Sequence, residues 1–209
     1  KKIVGGKNGF GFKLVLIYSK WGTIETVDHV RKKKYTQRFE NNLEKIQPPV
    51  IKRSTVKPYT KVSWLPDYKR FGIEKLTSTM FKLFKKRTYD IAAVTDKQVV
   101  VKFNGNTLPI RTFEQYINMY IGKKEQTKRL FETSPNGRWE YAVCLSPVDE
   151  FTHISFVNGI STTRGGKHVD YVLKQITRKM QTYIEKKKKI KVKENTIKEQ
   201  LMLFLNCVV

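Results

Sequence analysis

Long apolar runs are missing from this sequence, cysteine and histidine are scarce, and acidic side chains are far fewer than basic ones. No stretch approaches the roughly 20 apolar residues that a bilayer-crossing helix needs, and no signal-peptide pattern opens the chain. A soluble, intracellular protein is therefore expected. Two cysteines, Cys144 and Cys207, sit in apolar strand-like runs and not at metal-ligand spacing. They are expected to be buried, reduced core thiols. The three histidines, His29, His153 and His168, form no Ser-His-Asp or Cys-His arrangement, so nucleophilic catalysis by such a set is not expected. Acids are outnumbered: 18 Asp and Glu stand against 42 Lys and Arg in 209 residues, a net charge of +24. A field of that sign concentrates polyanions and makes their binding salt-sensitive. Nucleic acid is the partner class it points to, and a solvated lysine surface is the duller reading. With 39% hydrophobic and 12% aromatic residues, the chain can bury a core.

What is present begins with glycine. Gly5, Gly6, Gly9 and Gly11 surround Lys7, Asn8, Phe10, Phe12 and Lys13, and the apolar run Leu14 to Tyr18 follows at once. Glycines there let backbone amides close around a polyanion at a helix N-terminus, where the dipole also favours negative charge. The spacing is not that of the common P-loop, because Lys13 comes one residue late and Leu14 offers no hydroxyl to magnesium. Nor does a third glycine complete a dinucleotide fingerprint. From the residues alone, a phosphate cradle and a plain helix cap both stand.

Further along, a helix is expected from Phe10 to about Lys20, then a strand over Thr23 to Asp28. The basic tract Arg31 to Lys34 and a strand over Tyr35 to Phe39 complete a hairpin with a charged turn. Pro48-Pro49 breaks the chain, and Tyr59 to Leu65 resumes strand character. Thr77 caps a helix to about Val94, whose apolar face is read as Leu76, Met80, Phe84, Ile91 and Ala92. Its basic face, Lys82, Lys85, Lys86 and Arg87, is read as solvated. Val99 to Phe103 is a strand entering an Asn104-Gly105 hairpin. A domain boundary is placed at Arg111-Thr112. Beyond it come a helix over Phe113 to Tyr120, and strands over Trp139 to Leu145 and His153 to Asn158, taken as an antiparallel pair around Pro147. A helix opens at Gly165-Gly166 with Val169, Val172, Leu173, Ile176, Met180, Tyr183 and Ile184 as its stripe, and Leu201 to Val209 is a buried strand beside that sheet. His168 is read as structural, and so is His153. Lys186, Lys187, Lys188 and Lys189, continued by Lys191 and Lys193, form a cationic run suited to phosphates without base selectivity. A solvated tract is the alternative.

GGKNGFGFKL resembles the glycine loop of eukaryotic-type type IIA DNA topoisomerases, with Asn8, Gly9, Gly11 and Lys13 matching directly. Lys7 stands for arginine, Phe10 for tyrosine, and Phe12 departs from an alanine. YTKVSWLPDYKRF, KRTYDIAA, VKFNGNTLPI and TFEQYINMY follow in the family's order, and ISFVNGISTTRGGKHVDYVLKQI resembles its transducer segment. The resemblance implies an α+β chain: the C-terminal part of a GHKL (Bergerat) ATPase domain over residues 1–111, then a transducer of ribosomal protein S five domain-two type over 112–209. It implies that Gly6, Lys7, Asn8, Gly9, Phe10, Gly11, Phe12 and Lys13 wrap the phosphates of ATP, accompanied by Mg2+. It also implies that Lys186 to Lys189 touch transported double-stranded DNA, that the protein is a homodimer, and that it is nuclear or, for a viral member, in the host cell or virion.

Catalytic base, magnesium-holding asparagine and adenine-binding aspartate are expected on a helix ahead of the loop. The transducer's Gln-Thr-Lys loop is expected just beyond Val209, and Gln126-Thr127-Lys128 is rejected as a decoy by its order along the chain. The 209 residues are thus read as an internal fragment of an ATP-dependent topoisomerase. The competing readings are a non-catalytic basic nucleic-acid-binding module and another GHKL ATPase.

Overall fold

The computed structural model describes Gly6 and residues 8–209. Two compact units are resolved, Gly6–Phe81 and Lys82–Val209.

In the first unit, helix α1 (Phe10–Ile17) leads into an antiparallel sheet of β1 (Ser19–Asp28), β2 (Lys33–Glu40), β3 (Lys45–Ile46), β4 (Val50–Arg53) and β5 (Thr60–Pro66). The order is β3-β2-β1-β5, with β4 also paired to β2. A 3-10 turn over Tyr68–Phe71 follows. The β1–β2 hairpin is the one expected, in register from Trp21↔Glu40 to Asp28↔Lys33. Asp28 fixes its basic turn by accepting from the amides of Val30 and Arg31 at 2.9 and 3.1 Å and pairing with Arg31 Nη1 at 2.7 Å. Helix α1 stops three residues earlier than expected, because Ser19 and Lys20 already belong to β1. Ser19 Oγ donates to the Val15 carbonyl at 2.5 Å, and Asn42 Nδ2 and Arg70 Nη1 donate to the Ile17 carbonyl at 3.0 and 2.6 Å. Side chains thus satisfy carbonyls that a helix end leaves open. Leu16, Val27 and Phe39 are the buried apolar side chains of this unit.

Helix α2 (Ser78–Val94) starts at the expected cap: Thr77 Oγ1 accepts from the Met80 amide at 3.2 Å. Its buried face differs from the stripe read in the sequence. Phe84 and Ile91 are about half exposed, at 49% and 50%, whereas Asp90, Ala92 and Ala93 are buried. β6 (Lys102–Phe103) and β7 (Asn106–Thr107) form a short hairpin, with Asn104 and Gly105 at φ 48° and 79° as a two-residue primed turn requires. Only the end of the strand expected over Val99 to Phe103 forms. Helix α3 (Phe113–Ile121) is capped by Thr112 Oγ1, which accepts from the Gln115 amide at 3.2 Å.

The second sheet holds β8 (Arg129–Thr133), β9 (Trp139–Leu145), β10 (Thr152–Val157), β11 (Ile160–Ser161) and β12 (Leu201–Cys207) in the order β11-β10-β12-β9-β8. Helices α4 (Lys167–Lys188) and α5 (Glu194–Glu199) precede the last strand. β9 and β10 are not neighbours as expected, because β12 lies between them, antiparallel to β9 and parallel to β10. The reason is compositional. Leu201 to Leu205 are all buried, and an apolar run without alternation belongs in the middle of a sheet covered on both faces. Met202 and Phe204 pack with Ala142, Phe156, Ala92, Ala93, Phe113, Tyr116 and Ile117. The alternate residues Leu203 and Leu205 pack with Val169 and Val172 of α4, and Leu201 with Leu173 and Ile197. Cys144 and Cys207 are free and buried, and burial pushes the Cys207 thiol up to about 11.

Candidate nucleotide-binding site

Gly9 is the N-cap of α1 with φ 67° and ψ 12°, a left-handed conformation that glycine adopts without a Cβ penalty. Among the described residues no side chain caps this helix, and no acid lies in its first turn. The amides of Phe10, Gly11 and Phe12 therefore have no intrahelical acceptor, while the Lys13 amide reaches the Gly9 carbonyl at 3.4 Å. A Cβ built on Gly6, Gly9 or Gly11 would meet nothing within 4 Å. The backbone here faces open space and not a packed neighbour. Asn8, Gly9, Phe10, Gly11 and Lys13 are exposed, and Phe12 is partly buried. Lys13 Nζ lies 5.7 Å from the centroid of the Phe10 ring, an exposed cation–π pair. Lys7, expected in the loop, lies outside the described residues.

Amides without an intrahelical acceptor, a helix dipole and the Lys13 ammonium make this a fit for phosphate oxygens and for nothing cationic. Thr60 Oγ1 bonds Thr26 Oγ1 at 2.9 Å across β1 and β5. Among the described residues no group of three His, Cys, Asp or Glu side chains could hold a metal ion.

Lys186, Lys187 and Lys188 form the last turn of α4, and Lys189 is its C-cap at φ 58°, its amide donating to the Glu185 carbonyl at 3.1 Å. All four are exposed, and none is in an ion pair among the described residues. The run is helical, with its charge at the dipole's negative end. Gln126, first residue of the rejected tripeptide, uses its Oε1 to accept from the Lys123 amide at 2.9 Å beside Gly122.

Two clusters were not foreseen. Lys86 Nζ and Arg87 Nη1, read as solvated, both pair with Asp90 Oδ2 at 2.8 Å, and Asp90 is 2% exposed. Their i,i+4 and i,i+3 spacing was the signal for it. His153 and His168 are joined through hydroxyls: His153 Nδ1 to Ser155 Oγ at 3.2 Å, Ser155 Oγ to Thr162 Oγ1 at 2.6 Å, and Thr162 Oγ1 to His168 Nε2 at 2.9 Å. Burial holds both imidazoles below their ordinary value, His153 depresses His168 further, and Asp170 opposes the shift in both.

Comparison with known proteins places these elements. The family model described as DNA gyrase B matches residues 112–209. DNA topoisomerase 2 of Acanthamoeba polyphaga mimivirus is 41% identical over 212 residues, covering 100% of this chain and 17% of that protein. The crystal structure of the ATPase region of Saccharomyces cerevisiae topoisomerase II superposes with a TM-score of 0.88 at 39% identity, covering 99% of this chain and 53% of that one. Along its whole length the chain matches the ATPase region of DNA topoisomerase II. The ATPase and transducer domains of topoisomerase II from Balamuthia mandrillaris agree equally well, with a TM-score of 0.90 at 33% identity over 99% of this chain and 53% of that one. Its fold is accordingly that of the GHKL ATPase and transducer region of topoisomerase II, as the loop and transducer motifs led one to expect. The chain spans about half of those solved regions and 17% of the mimivirus topoisomerase II.

Proposed function

We propose that this chain is the phosphate-gripping and signal-relaying part of an ATP-dependent type IIA topoisomerase, which passes one DNA duplex through a transient break in another. The observation that carries the reading is the uncapped N-terminus of α1, with Gly9 left-handed and the glycine backbone open, in a chain that matches topoisomerase II along its length. Gly6, Lys7, Asn8, Gly9, Phe10, Gly11, Phe12 and Lys13 would hold the ATP phosphates, with amides aimed at oxygens and Lys13 supplying charge. Bound magnesium would offset the remaining phosphate charge, and no described residue is assigned to it. Residues 1–111 belong, in this reading, to the nucleotide domain and 112–209 to the transducer. Lys186, Lys187, Lys188 and Lys189 take phosphates of double-stranded DNA, and the protein works as a homodimer inside the cell, in the nucleus or in the host of a virus.

Binding to the folded state alone raises stability, by about 2.7 kcal/mol at a hundredfold excess over Kd. ATP should therefore raise the melting temperature of the full-length protein, and Lys13→Ala should remove most of that rise along with ATP-dependent relaxation of supercoiled DNA. A protein in which Lys13→Ala relaxes DNA normally would not be using this loop. The net charge of +24 favours a second reading, a basic nucleic-acid-binding module in which the loop only caps a helix. In that case DNA protects the fold and ATP does not.

A further inference from the structure

A hollow of about 370 Å³ opens between α2 and α3, entirely within the Lys82–Val209 unit. Its wall is made of Tyr89, Tyr116 and Tyr120 with the thioether of Met119, and its rim of Lys82, Lys85 and Lys86. The rim cations are not equivalent. Lys86 is spent on Asp90, as is the neighbouring Arg87, whereas Lys82 and Lys85 have no acidic partner among the described residues. Three residues apart on one helix, these two ammonium groups share a face.

Proton accounting adds an acceptor. Asp90, paired with two cations, is a carboxylate and only accepts, so Tyr116 donates to its Oδ1 at 2.5 Å. The Tyr116 proton being used, the 3.0 Å contact between the two hydroxyls is donated by Tyr120. Tyr120 Oη is left with lone pairs that no described residue occupies. Burial, and the hydrogen bond to Asp90, push Tyr116 well above the ordinary phenol value, so it stays a donor.

We propose that this hollow binds a nucleobase carrying a 5′-phosphate. The base lies against the tyrosine wall and Met119, with an N–H donating to Tyr120 Oη, and the phosphate rests on Lys82 and Lys85. Aromatic rings beside free lysines are the combination on which unpaired bases are held, and the volume is at the small end for ligand pockets. It admits one nucleotide and excludes a duplex. The same chemistry can be supplied by a free nucleotide or by an unpaired residue of single-stranded DNA. The site stands apart from the reading of the glycine loop and does not need it.

The test is photo-cross-linking of the full-length protein with the 5′-monophosphate of iodinated deoxyuridine, followed by peptide mapping. Adducts are expected on the peptides that carry Tyr89, Tyr116 and Tyr120. The double variant Lys82→Glu, Lys85→Glu, at two exposed positions, should lower the yield about tenfold or more, the scale of a lost charge-assisted contact. Tyr120→Phe, which keeps the ring, should lower it by a smaller factor. Lys13→Ala should leave it unchanged, which separates this site from the loop. Unlabelled thymidine monophosphate and oligothymidine at equal nucleotide concentration distinguish the sources: better competition by the strand assigns single-stranded DNA, and equal competition assigns the free nucleotide. Adducts confined to other peptides, an undiminished yield in the lysine double variant, or competition by neither ligand would overturn the proposal.

Discussion

Leu16 Cδ2 occupies the space in which Gly22 would carry a Cβ. Leu16 is 4% exposed, and Gly22 sits mid-strand in β1 between Phe39 and Trp64 on its two neighbours. Helix α1 is thereby seated on the sheet by one close approach, and that seating aims the glycine loop at its other end. Gly22→Ala should overpack the contact and destabilise the protein by about 1–3 kcal/mol. Because the clash is with a single side chain, adding Leu16→Ala should cost less than it does alone. A urea-unfolding double-mutant cycle would show a coupling of roughly 1 kcal/mol, and simple additivity would mean that the helix is seated elsewhere.

Gly9 and Gly11 separate folding from binding. At Gly9, φ 67° makes alanine strained by about 1 kcal/mol. At Gly11 the backbone is helical and the space open, so Gly11→Ala should leave the ligand-free melting temperature unchanged or raised, in line with the helix preference of up to ~1 kcal/mol. If phosphates approach the backbone there, the same methyl must cost nucleotide binding. A Gly11→Ala protein that melts normally but is no longer protected by ATP is the expected result. Full protection would remove Gly11 from the site.

Local signals were legible where local chemistry decided the structure. The basic turn after Asp28, Asn104-Gly105 and the Thr77 cap all formed from neighbours in sequence. Long-range pairing was not legible. Nothing in the Trp139 to Leu145 and Thr152 to Val157 patterns reveals that β12 will insert between them, since either strand can accept any apolar neighbour. Strands β3 and β4 escaped because all their residues are exposed and carry no alternation. In α2 the eye follows large apolar residues, yet small Ala92 and Ala93 are what fit against the core, and Phe84 is left outside. The loop was legible by its glycines, whereas Asp90 was hidden by the cations around it. The histidine chain was hidden because the turn between β10 and β11 brings its members together.

Tyr116 and Asp90 tie α3 to α2, both side chains 2% exposed. Tyr116→Phe should destabilise by about 1–2 kcal/mol, since Lys86 and Arg87 still satisfy the other carboxylate oxygen. Asp90→Ala should cost more, about 2–3 kcal/mol, because it strands a buried hydroxyl, with the half-exposed cations recovering water. Chemical denaturation of the two variants gives the order; a milder Asp90→Ala would mean that the hydroxyl finds another partner.

The histidine chain predicts a pH dependence. Ser155 Oγ also reaches the Thr162 carbonyl at 3.1 Å, to which it must donate. Thr162 then donates to Ser155, so His153 Nδ1 and His168 Nε2 each carry a proton in the neutral ring. Their pKa values lie below the ordinary 6.5, chiefly through burial. The folded state thus binds fewer protons than the unfolded state. Stability is complete above the unfolded value and is lost as pH falls from there through the folded pKa. The urea midpoint should be lower at about pH 5.5 than at about pH 7.5, and replacing both histidines by glutamine should flatten that part of the profile. An unchanged slope would place the titration elsewhere.

The four lysines that end α4 offer the sharpest test of DNA contact. They are exposed and lack acidic partners among the described residues, so replacing Lys186, Lys187, Lys188 and Lys189 by glutamine should cost the fold only the dipole attraction, a few tenths of a kcal/mol each. Duplex binding should respond differently. Each phosphate neutralised contributes about 0.9 to the slope of log K against log salt. If all four make contact in the full-length protein, the slope should fall by roughly 3–4 and affinity should weaken equally for all sequences, because phosphates carry no base information. Measuring duplex affinity between about 50 and 200 mM salt separates this from bulk attraction. Removing the same charge by Lys82→Gln, Lys85→Gln, Lys174→Gln and Lys179→Gln should weaken binding through the general field and shift the slope less. Equal slopes in the two quadruple variants would show that duplex DNA responds to net charge alone and that the end of α4 is not its contact.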